Sequence, residues 1–238
     1  MKLTTIFSLL ILLSGMSTAS AKLTAESWIV TDANGAMLAG QNTTDSRSIA
    51  SITKLVTAMV VLDAKQDLNE RIVQYTRREM IQLAMVKSDN LQSARLCEHY
   101  PGRNTACILA MNKKVRSLGL TNTRFTDATG LGLMNVSTAT DLVKLVIAAQ
   151  HYPEIVKASQ TAEIKIHMKR KWLIFKNTNP IIGRRHTFIV SKTGYIRAAG
   201  GCIVMMLDTE VGRRIVVVLG SKNTHTRIPE AEFIATHY

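Results

Sequence analysis

Residues 51–64 have the sequence SITKLVTAMVVLDA, which leaves almost no polar face when it is wound as a helix. A helix that is apolar on every side belongs in the middle of a domain, where it can be buried. Ser51 and Lys54 are three residues apart, so their side chains project from the same face of the first turn. The stretch therefore predicts a central buried helix that carries a hydroxyl and an amine side by side at its start.

This pairing suits catalysis by a serine nucleophile. Burial disfavours the charged form of lysine, so the pKa of Lys54 should fall towards that of a useful general base. The start of the helix also supplies free N–H donors and a positive dipole end, which stabilise a developing oxyanion. An isolated S-x-x-K match is nevertheless common by chance, with the serine as a helix cap and the lysine in solvent.

Two further motifs follow in the chain. Ser88-Asp89-Asn90 should form a turn between two helices, because such side chains bond their own backbone and resist helix continuation. Lys192-Thr193-Gly194 should end a strand, where glycine lets a ligand approach the backbone closely. By residue frequencies, the three motifs occur together in this order with a chance on the order of one in a thousand. They are the combination found in class A β-lactamases and penicillin-binding proteins.

The chain resembles the low-molecular-mass penicillin-binding D,D-peptidases, a family of D-alanyl-D-alanine endopeptidases and carboxypeptidases, over essentially residues 25–220. The segments that carry the resemblance are 47–59 (RSIASITKLVTAM), 98–102 (EHYPG), 122–125 (NTRF), 130–131 (GL), 135–139 (NVSTA), 177–179 (NTN), 192–195 (KTGY) and 198–200 (AAG). The resemblance implies a DD-peptidase/β-lactamase-like α+β fold, in which helices flank a five-stranded antiparallel sheet and an all-helical lobe is inserted. The order of strands, then helices, then strands favours the same class.

The resemblance also implies the roles of the residues in the first two motifs. Ser51 would attack the carbonyl of a D-Ala peptide bond and become the acyl-ester, while Lys54 accepts its proton. Ser88 would relay a proton to the departing amine, and Asn90 would hold the substrate's amide. Asp89 is expected to fix the turn and to take no part in the chemistry.

The third motif is expected to line the other side of the cleft. By resemblance, Lys192 and Thr193 would bind a carboxylate or orient the acyl chain, and Gly194 would belong to the same substrate-binding strand. The backbone N–H groups of Ser51 and Tyr195 would form the oxyanion hole. The Tyr195 ring is expected to pack against its neighbours.

The amino terminus predicts export. Lys2 precedes the apolar run 6–13, and small residues end at Ala19-Ser20-Ala21, which is typical of a cleaved signal peptide. We therefore expect a signal peptide at 1–21 and one serine D,D-peptidase domain at 22–238, acting in the periplasm as a monomer without an integral membrane anchor. The net charge of +13 favours an anionic partner. Export excludes nucleic acid, so we expect peptidoglycan, an acidic wall polymer, with β-lactams as covalent inhibitors.

Cys97 and Cys107 flank a helix break at Pro101-Gly102, so they could form a disulfide across a helical hairpin. Two small buried thiols are the alternative, and Cys202 is expected to be a core thiol. The histidines have no metal-ligand spacing, so we predict no metal site and no cofactor.

Three alternatives to a D,D-endopeptidase stay open. Carboxypeptidases of this group often carry a further carboxy-terminal domain, whereas 44 residues follow Gly194 here, which favours the endopeptidase. A class A β-lactamase needs a glutamate after its Ser-Asp-Asn motif, but no Glu occurs between Glu98 and Glu154, and the loop 121–136 offers only Asp127. The third alternative is a catalytically silent peptidoglycan-binding protein.

Two departures from the family put substrate preference and rate in doubt. Only 33 residues separate Lys54 from Ser88, and Ile196 and Arg197 stand where relatives usually have Thr and a small polar residue. For the secondary structure, we expect Ser137 to cap a helix over 138–149. After Pro153 the sequence period switches towards two, and the segments 162–166 and 172–175 predict a hairpin.

Overall fold

A computed structural model describes residues 23–168 and 170–238, so the proposed signal peptide lies outside the described part. The strands are β1 (Ser27–Thr31), β2 (Met37–Gln41), β3 (Arg47–Ser48), β4 (Arg71–Ile72), β5 (Tyr75–Thr76), β6 (Val136–Ser137), β7 (Glu163–Met168), β8 (Lys171–Lys176), β9 (Thr187–Ile196), β10 (Gly200–Thr209) and β11 (Gly212–Ser221). The α-helices are α1 (Thr53–Asp63), α2 (Arg77–Gln82), α3 (Asn90–Glu98), α4 (Arg103–Ser117), α5 (Ala139–Ala149), α6 (Pro153–Gln160) and α7 (Arg227–His237). A 3-10 turn (Ala50–Ile52) precedes α1, and a π-helical segment (Leu83–Lys87) follows α2.

The main sheet has the strand order β2-β1-β11-β10-β9, and all neighbouring strands are antiparallel. The amino-terminal hairpin thus joins the sheet made by the last three strands, while helices α1 to α6 lie between them in sequence. The prediction of an α+β fold with a five-stranded antiparallel sheet and an inserted helical part is confirmed. Strand β9 ends the sheet on one side, which leaves its outer edge available to the site described below.

Both faces of the sheet are covered, which explains why its central strands are apolar at successive positions. In β10, Val204 and Met206 pack into the core shared with α1 and α5. The alternate residues Ile203 and Met205 pack on the opposite face with Ile234 of α7. Because successive side chains of a strand point to opposite faces, β10 contributes to two apolar layers, one on each face of the sheet.

Helix α1 is the central element that the sequence predicts. Every residue from Thr53 to Val61 is buried, including Lys54. The one difference lies at its start, where Ser51 sits in the 3-10 turn and not in the α-helix itself. Ala50 before it has a positive φ of 46°, an unfavourable conformation for a residue with a Cβ.

The hairpin predicted from 162–166 and 172–175 is present as β7 and β8. Two local details differ from the prediction. The period of two does not begin directly after Pro153, because residues 153–160 form helix α6, with Pro153 at the first helical position and Ile155 and Ala158 on a buried face. The cap of α5 is Thr138, whose hydroxyl accepts a hydrogen bond from the Asp141 N–H at 3.1 Å. Within the residues that the structure describes, no helix is long and apolar enough to span a membrane.

Candidate active site

The side chains of Ser51 and Lys54 meet at the start of α1. Lys54 Nζ lies 2.7 Å from Ser51 Oγ, within hydrogen-bonding distance. Lys54 is fully buried, whereas Ser51 keeps part of its surface exposed. The arrangement gives a substrate access to the hydroxyl while the amine stays out of water.

Two more acceptors fix the amine of Lys54. It donates to Asn90 Oδ1 at 2.8 Å and to the backbone carbonyl of Thr129 at 2.5 Å. Both oxygens are acceptors only, so a neutral amine would donate its two N–H groups to them. Its lone pair then points at the Ser51 hydroxyl, as a general base requires.

The electrostatics of the site favour that neutral form. Burial lowers the pKa of Lys54 to about 7, against the opposing effect of the carboxylates of Asp127 and Asp89, which raise it. A lysine with a pKa of about 7 is neutral in about half of the molecules at neutral pH.

The Thr129 carbonyl is placed by a turn built around Asp127. One carboxylate oxygen accepts from the N–H groups of Thr129 at 2.7 Å and Gly130 at 2.8 Å, and the other accepts from Gly132 at 3.2 Å. Burial raises the pKa of Asp127, but the hydrogen bonds from Thr129, Gly130 and Gly132 outweigh it and the pKa is lowered. Asp127 is therefore a structural carboxylate in this loop.

The same loop is attached to α1 by two close contacts. The amide of the fully buried Asn135 donates to Thr53 Oγ1 at 3.1 Å and to the Asp127 carbonyl at 2.9 Å. Gly130 has φ 80° and lies so close to Ala50 that a Cβ there would overlap the Ala50 carbonyl oxygen. These contacts fix the position of the loop relative to the nucleophile's turn.

Ser88 faces the cleft from the end of the π-helical segment. Its backbone is left-handed, with φ 61° and ψ 38°. Asp89 then caps α3, because its carboxylate accepts a hydrogen bond from the Gln92 N–H at 3.0 Å. The turn that the sequence predicted thus presents Ser88 and Asn90 to the same site, with Asp89 holding it.

Lys192 contacts Ser88 from the sheet side. Its Nζ donates to Ser88 Oγ at 2.8 Å and to the Thr193 carbonyl at 2.9 Å, and only 1% of the residue is exposed. Burial lowers its pKa well below the usual value, and the positive charges of Lys54 and Arg227 lower it further. Lys192 thus joins strand β9 to Ser88 through one direct hydrogen bond.

Strand β9 runs directly beside Ser51. A Cβ at Gly194 would lie 3.0 Å from the Ser51 nitrogen and 2.9 Å from the Ile49 carbonyl, so only glycine fits here. Thr193 donates to Thr178 Oγ1 at 2.7 Å. Tyr195 lies on the edge strand, and 45% of the residue is exposed, so only part of its surface packs against neighbours.

Sequence reasoning missed three contributors to this site. The Thr129 contact uses a backbone oxygen, which has no side-chain signature, and Asn135 was noted only as part of a resembling segment. The third is Arg227 of α7, which is 7% exposed and donates to the Gly194 carbonyl at 2.6 Å. Only the packing of α7 against the sheet brings it to β9.

The remaining site prediction concerns Cys97 and Cys107. The structure joins them in a disulfide, with their Cα atoms 5.3 Å apart, and leaves Cys202 as a buried thiol. The bond ties the end of α3 to α4, so it stabilises the helices that carry Asn90.

Comparison with protein families gives one consistent result. The model of the D-alanyl-D-alanine carboxypeptidase family matches residues 14–73 and 68–223. The D-alanyl-D-alanine endopeptidase of Escherichia coli K12 is 39% identical over 213 residues, which cover 80% of this chain and 69% of that protein. The D-alanyl-D-alanine endopeptidase of Pseudomonas aeruginosa is 37% identical over 234 residues, or 88% of this chain and 76% of that protein.

A solved structure supports the fold independently. Penicillin-binding protein D2 of Listeria monocytogenes, in its cefotaxime-bound form, superposes with a TM-score of 0.80. The match covers 89% of this chain and 95% of that one at 24% identity. At this identity the likeness establishes the fold alone.

Proposed function

This chain belongs to the D-alanyl-D-alanine carboxypeptidase family and is a serine-type D,D-peptidase, and we propose that it hydrolyses D-alanyl–diaminopimelyl cross-links in peptidoglycan through an acyl-enzyme. Two relatives that share more than a third of its residues are D-alanyl-D-alanine endopeptidases, so the chain is a hydrolase of that type. The sequence of residues 1–21 supports action in the periplasm.

The observation that carries the mechanism is the 2.7 Å contact between Lys54 Nζ and Ser51 Oγ, with the pKa of that lysine at about 7. Lys54 takes the hydroxyl proton as Ser51 Oγ bonds to the carbonyl carbon of the D-Ala peptide bond. The backbone N–H groups of Ser51 and Tyr195 donate hydrogen bonds to the carbonyl oxygen and so stabilise the negative charge that develops on it. The close approach of Gly194 to the Ser51 nitrogen supports this placement.

Collapse of the intermediate breaks the bond to the amine, which must leave as a neutral group. The proton that Lys54 took from Ser51 passes through the Ser88 hydroxyl to that nitrogen, which leaves Lys54 neutral again, and Lys192 supports Ser88 through their 2.8 Å hydrogen bond. Asn90 holds the substrate's amide while it also orients Lys54. A water molecule then attacks the acyl-ester with Lys54 again as the base, which releases Ser51.

A β-lactam would acylate Ser51 by the same first step, but we expect slow release of the product. The only carboxylate of the loop 121–136 is Asp127, and its oxygens accept hydrogen bonds from the turn 129–132. It is therefore badly placed to activate a deacylating water. Rapid catalytic turnover of a penicillin would contradict this proposal.

Digestion of defined substrates tests the function. The purified enzyme is incubated with a cross-linked muropeptide dimer and, separately, with an uncross-linked pentapeptide, and products are identified by mass spectrometry. We expect the parent to cleave the dimer and to leave the pentapeptide almost unchanged. Ser51→Ala should leave both substrates intact. Ser46→Ala, which changes an exposed serine five positions before Ser51, should behave as the parent does.

The opposite substrate preference would make the enzyme a carboxypeptidase, the activity that gives its family its name. If the parent cleaves neither substrate and binds no fluorescent penicillin, the chain is the catalytically silent wall-binding protein.

A further inference from the structure

The hairpin of β7 and β8 carries an exposed apolar and basic face that the mechanism does not use. Its inward residues Ile164 and Ile166 are buried, with 8% and 3% exposed. The outward residues Trp172 and Ile174 of β8 are 65% and 55% exposed. Because alternate residues of a strand share a face, Trp172 and Ile174 lie side by side on the outer surface.

The cross-strand neighbours of this pair are basic or aromatic. His167 is opposite Trp172, with ring centroids 5.1 Å apart, and Lys165 is opposite Ile174. Lys176 continues this face at the foot of the hairpin, and Arg170 and Lys171 are exposed at its tip. Its carboxylate, Glu163, lies 3.9 Å from Lys165. The face thus combines a flat indole ring with an excess of positive charge.

The foot of the hairpin belongs to the active-site cleft. Thr178 follows β8, and its N–H donates to the carbonyl of Val86, two residues before Ser88, at 3.0 Å. Its hydroxyl accepts from Thr193 at 2.7 Å. Trp172 lies six positions before Thr178, which at about 3.3 Å per extended residue places the indole on the order of 20 Å along the hairpin from the cleft.

We propose that the outward face of the β7–β8 hairpin is a docking surface for the glycan strand of the peptidoglycan whose cross-link enters the cleft. The inference rests on the proposed function and adds the part of the substrate that lies outside the catalytic residues. Sugar rings present flat C–H faces that pack on an exposed indole, and the stem peptides carry carboxylates that Lys165 and Lys176 can pair with.

Continuity with the cleft favours this occupant over a lipid surface. A cross-link is attached to glycan strands that are much longer than the cleft. When the cross-link is in the cleft, the glycan therefore lies against the protein surface next to Ser88. An exposed apolar patch with charge complementary to that polymer occurs on this flank. An anionic membrane is the competing occupant and is distinguished by experiment.

The test measures binding separately from cleavage. In a Ser51→Ala background, which leaves sacculi undigested, the protein is sedimented with purified sacculi and with vesicles of phosphatidylglycerol and phosphatidylethanolamine. Adding Trp172→Ala should weaken binding to sacculi about tenfold, as expected for an aromatic anchor. The control Met37→Ala removes a side chain that is 63% exposed on β2, at the other edge of the sheet, and should leave binding unchanged.

The active enzyme gives a second readout. Trp172→Ala with Ser51 intact should digest sacculi more slowly yet cleave the soluble muropeptide dimer and react with penicillin as the parent does. Unchanged sacculus binding by Trp172→Ala, or a loss confined to vesicles, would overturn the proposal. Failure of the proposed function looks different, because the parent itself would then leave the soluble dimer intact.

Discussion

Lys54 Nζ donates a hydrogen bond to the backbone carbonyl of Thr129 at 2.5 Å, although 75 residues separate the two in sequence. The carbonyl belongs to the turn that Asp127 holds through three backbone N–H groups. The carboxylate also raises the pKa of Lys54 and so partly offsets the effect of burial. The basicity of the amine therefore depends on a loop that contains no catalytic side chain.

Asp127→Asn should shift the pH dependence of acylation to lower pH. Removing the negative charge takes away an interaction that raises the Lys54 pKa, so the amine stays neutral at lower pH than in the parent, whose Lys54 pKa is about 7. The acylation rate with a fluorescent penicillin, measured as a function of pH, gives the midpoint. Asp45→Asn serves as the control, because Asp45 is exposed and is not one of the carboxylates that raise the pKa of Lys54. A midpoint that moves upward would show that this electrostatic assignment is wrong.

Gly130→Ala should lower the acylation rate by about 100-fold, because displacement of a reacting group by about 1 Å has an effect of that size. The new Cβ would overlap the Ala50 carbonyl oxygen, next to the nucleophile. Gly119→Ala is the matched control, since φ at Gly119 is also positive, 71°, but no atom lies within 4 Å of the added Cβ. Both variants should unfold at lower temperature, and equal acylation rates in the two would contradict the account.

Ser88→Ala should reduce the acylation rate by about 10²–10⁴, the usual contribution of a positioned proton donor. It removes the hydroxyl that Lys192 contacts at 2.8 Å. Ser93→Ala is the control, because Ser93 lies in the first turn of α3 and its hydroxyl donates to the Asp89 carbonyl, not to a lysine. Single-turnover acylation measures the effect. A rate for Ser88→Ala within threefold of the parent would exclude the relay.

Loss of the disulfide should destabilise the protein and leave its chemistry intact. Cys97 and Cys107 are 10 residues apart, and closing a loop of this size contributes roughly 2–4 kcal/mol to the free energy of unfolding. Urea titration with and without dithiothreitol should show that decrease in the parent and in Cys202→Ala, but no effect of the reductant in a Cys97→Ala, Cys107→Ala double variant. If three thiols react in the unfolded, unreduced parent, the disulfide assignment is wrong.

The sequence predicted best where one physical requirement dominates. The apolar side chains of 51–64 leave no polar face for solvent, so the sequence predicted a buried helix, as observed. The three-residue spacing predicted that Ser51 and Lys54 lie together, as their hydrogen bond shows. The turn at Ser88 followed from side chains that compete with helical hydrogen bonds. The strand bearing Lys192 was expected to end there, but it continues to Ile196 because its later residues pair with β10.

The features that were missed depend on tertiary packing. Helix α6 was not predicted, because its apolar face is too short for the helical period to be visible in the sequence. Arg227 contributes to the site only because α7 covers the sheet and brings its guanidinium to the Gly194 carbonyl. The Thr129 contact is a backbone interaction, so no side-chain motif could reveal it.

The most direct test of the central claim is the rate of Ser51 acylation by a penicillin across about pH 5 to 9, with the adduct located by mass spectrometry. If neutral Lys54 is the base, the rate should rise about tenfold per pH unit up to a midpoint near the Lys54 pKa of about 7 and then level off. The adduct should be absent from Ser51→Ala. A rate that does not change over this range, or an adduct that persists without Ser51, would contradict the account.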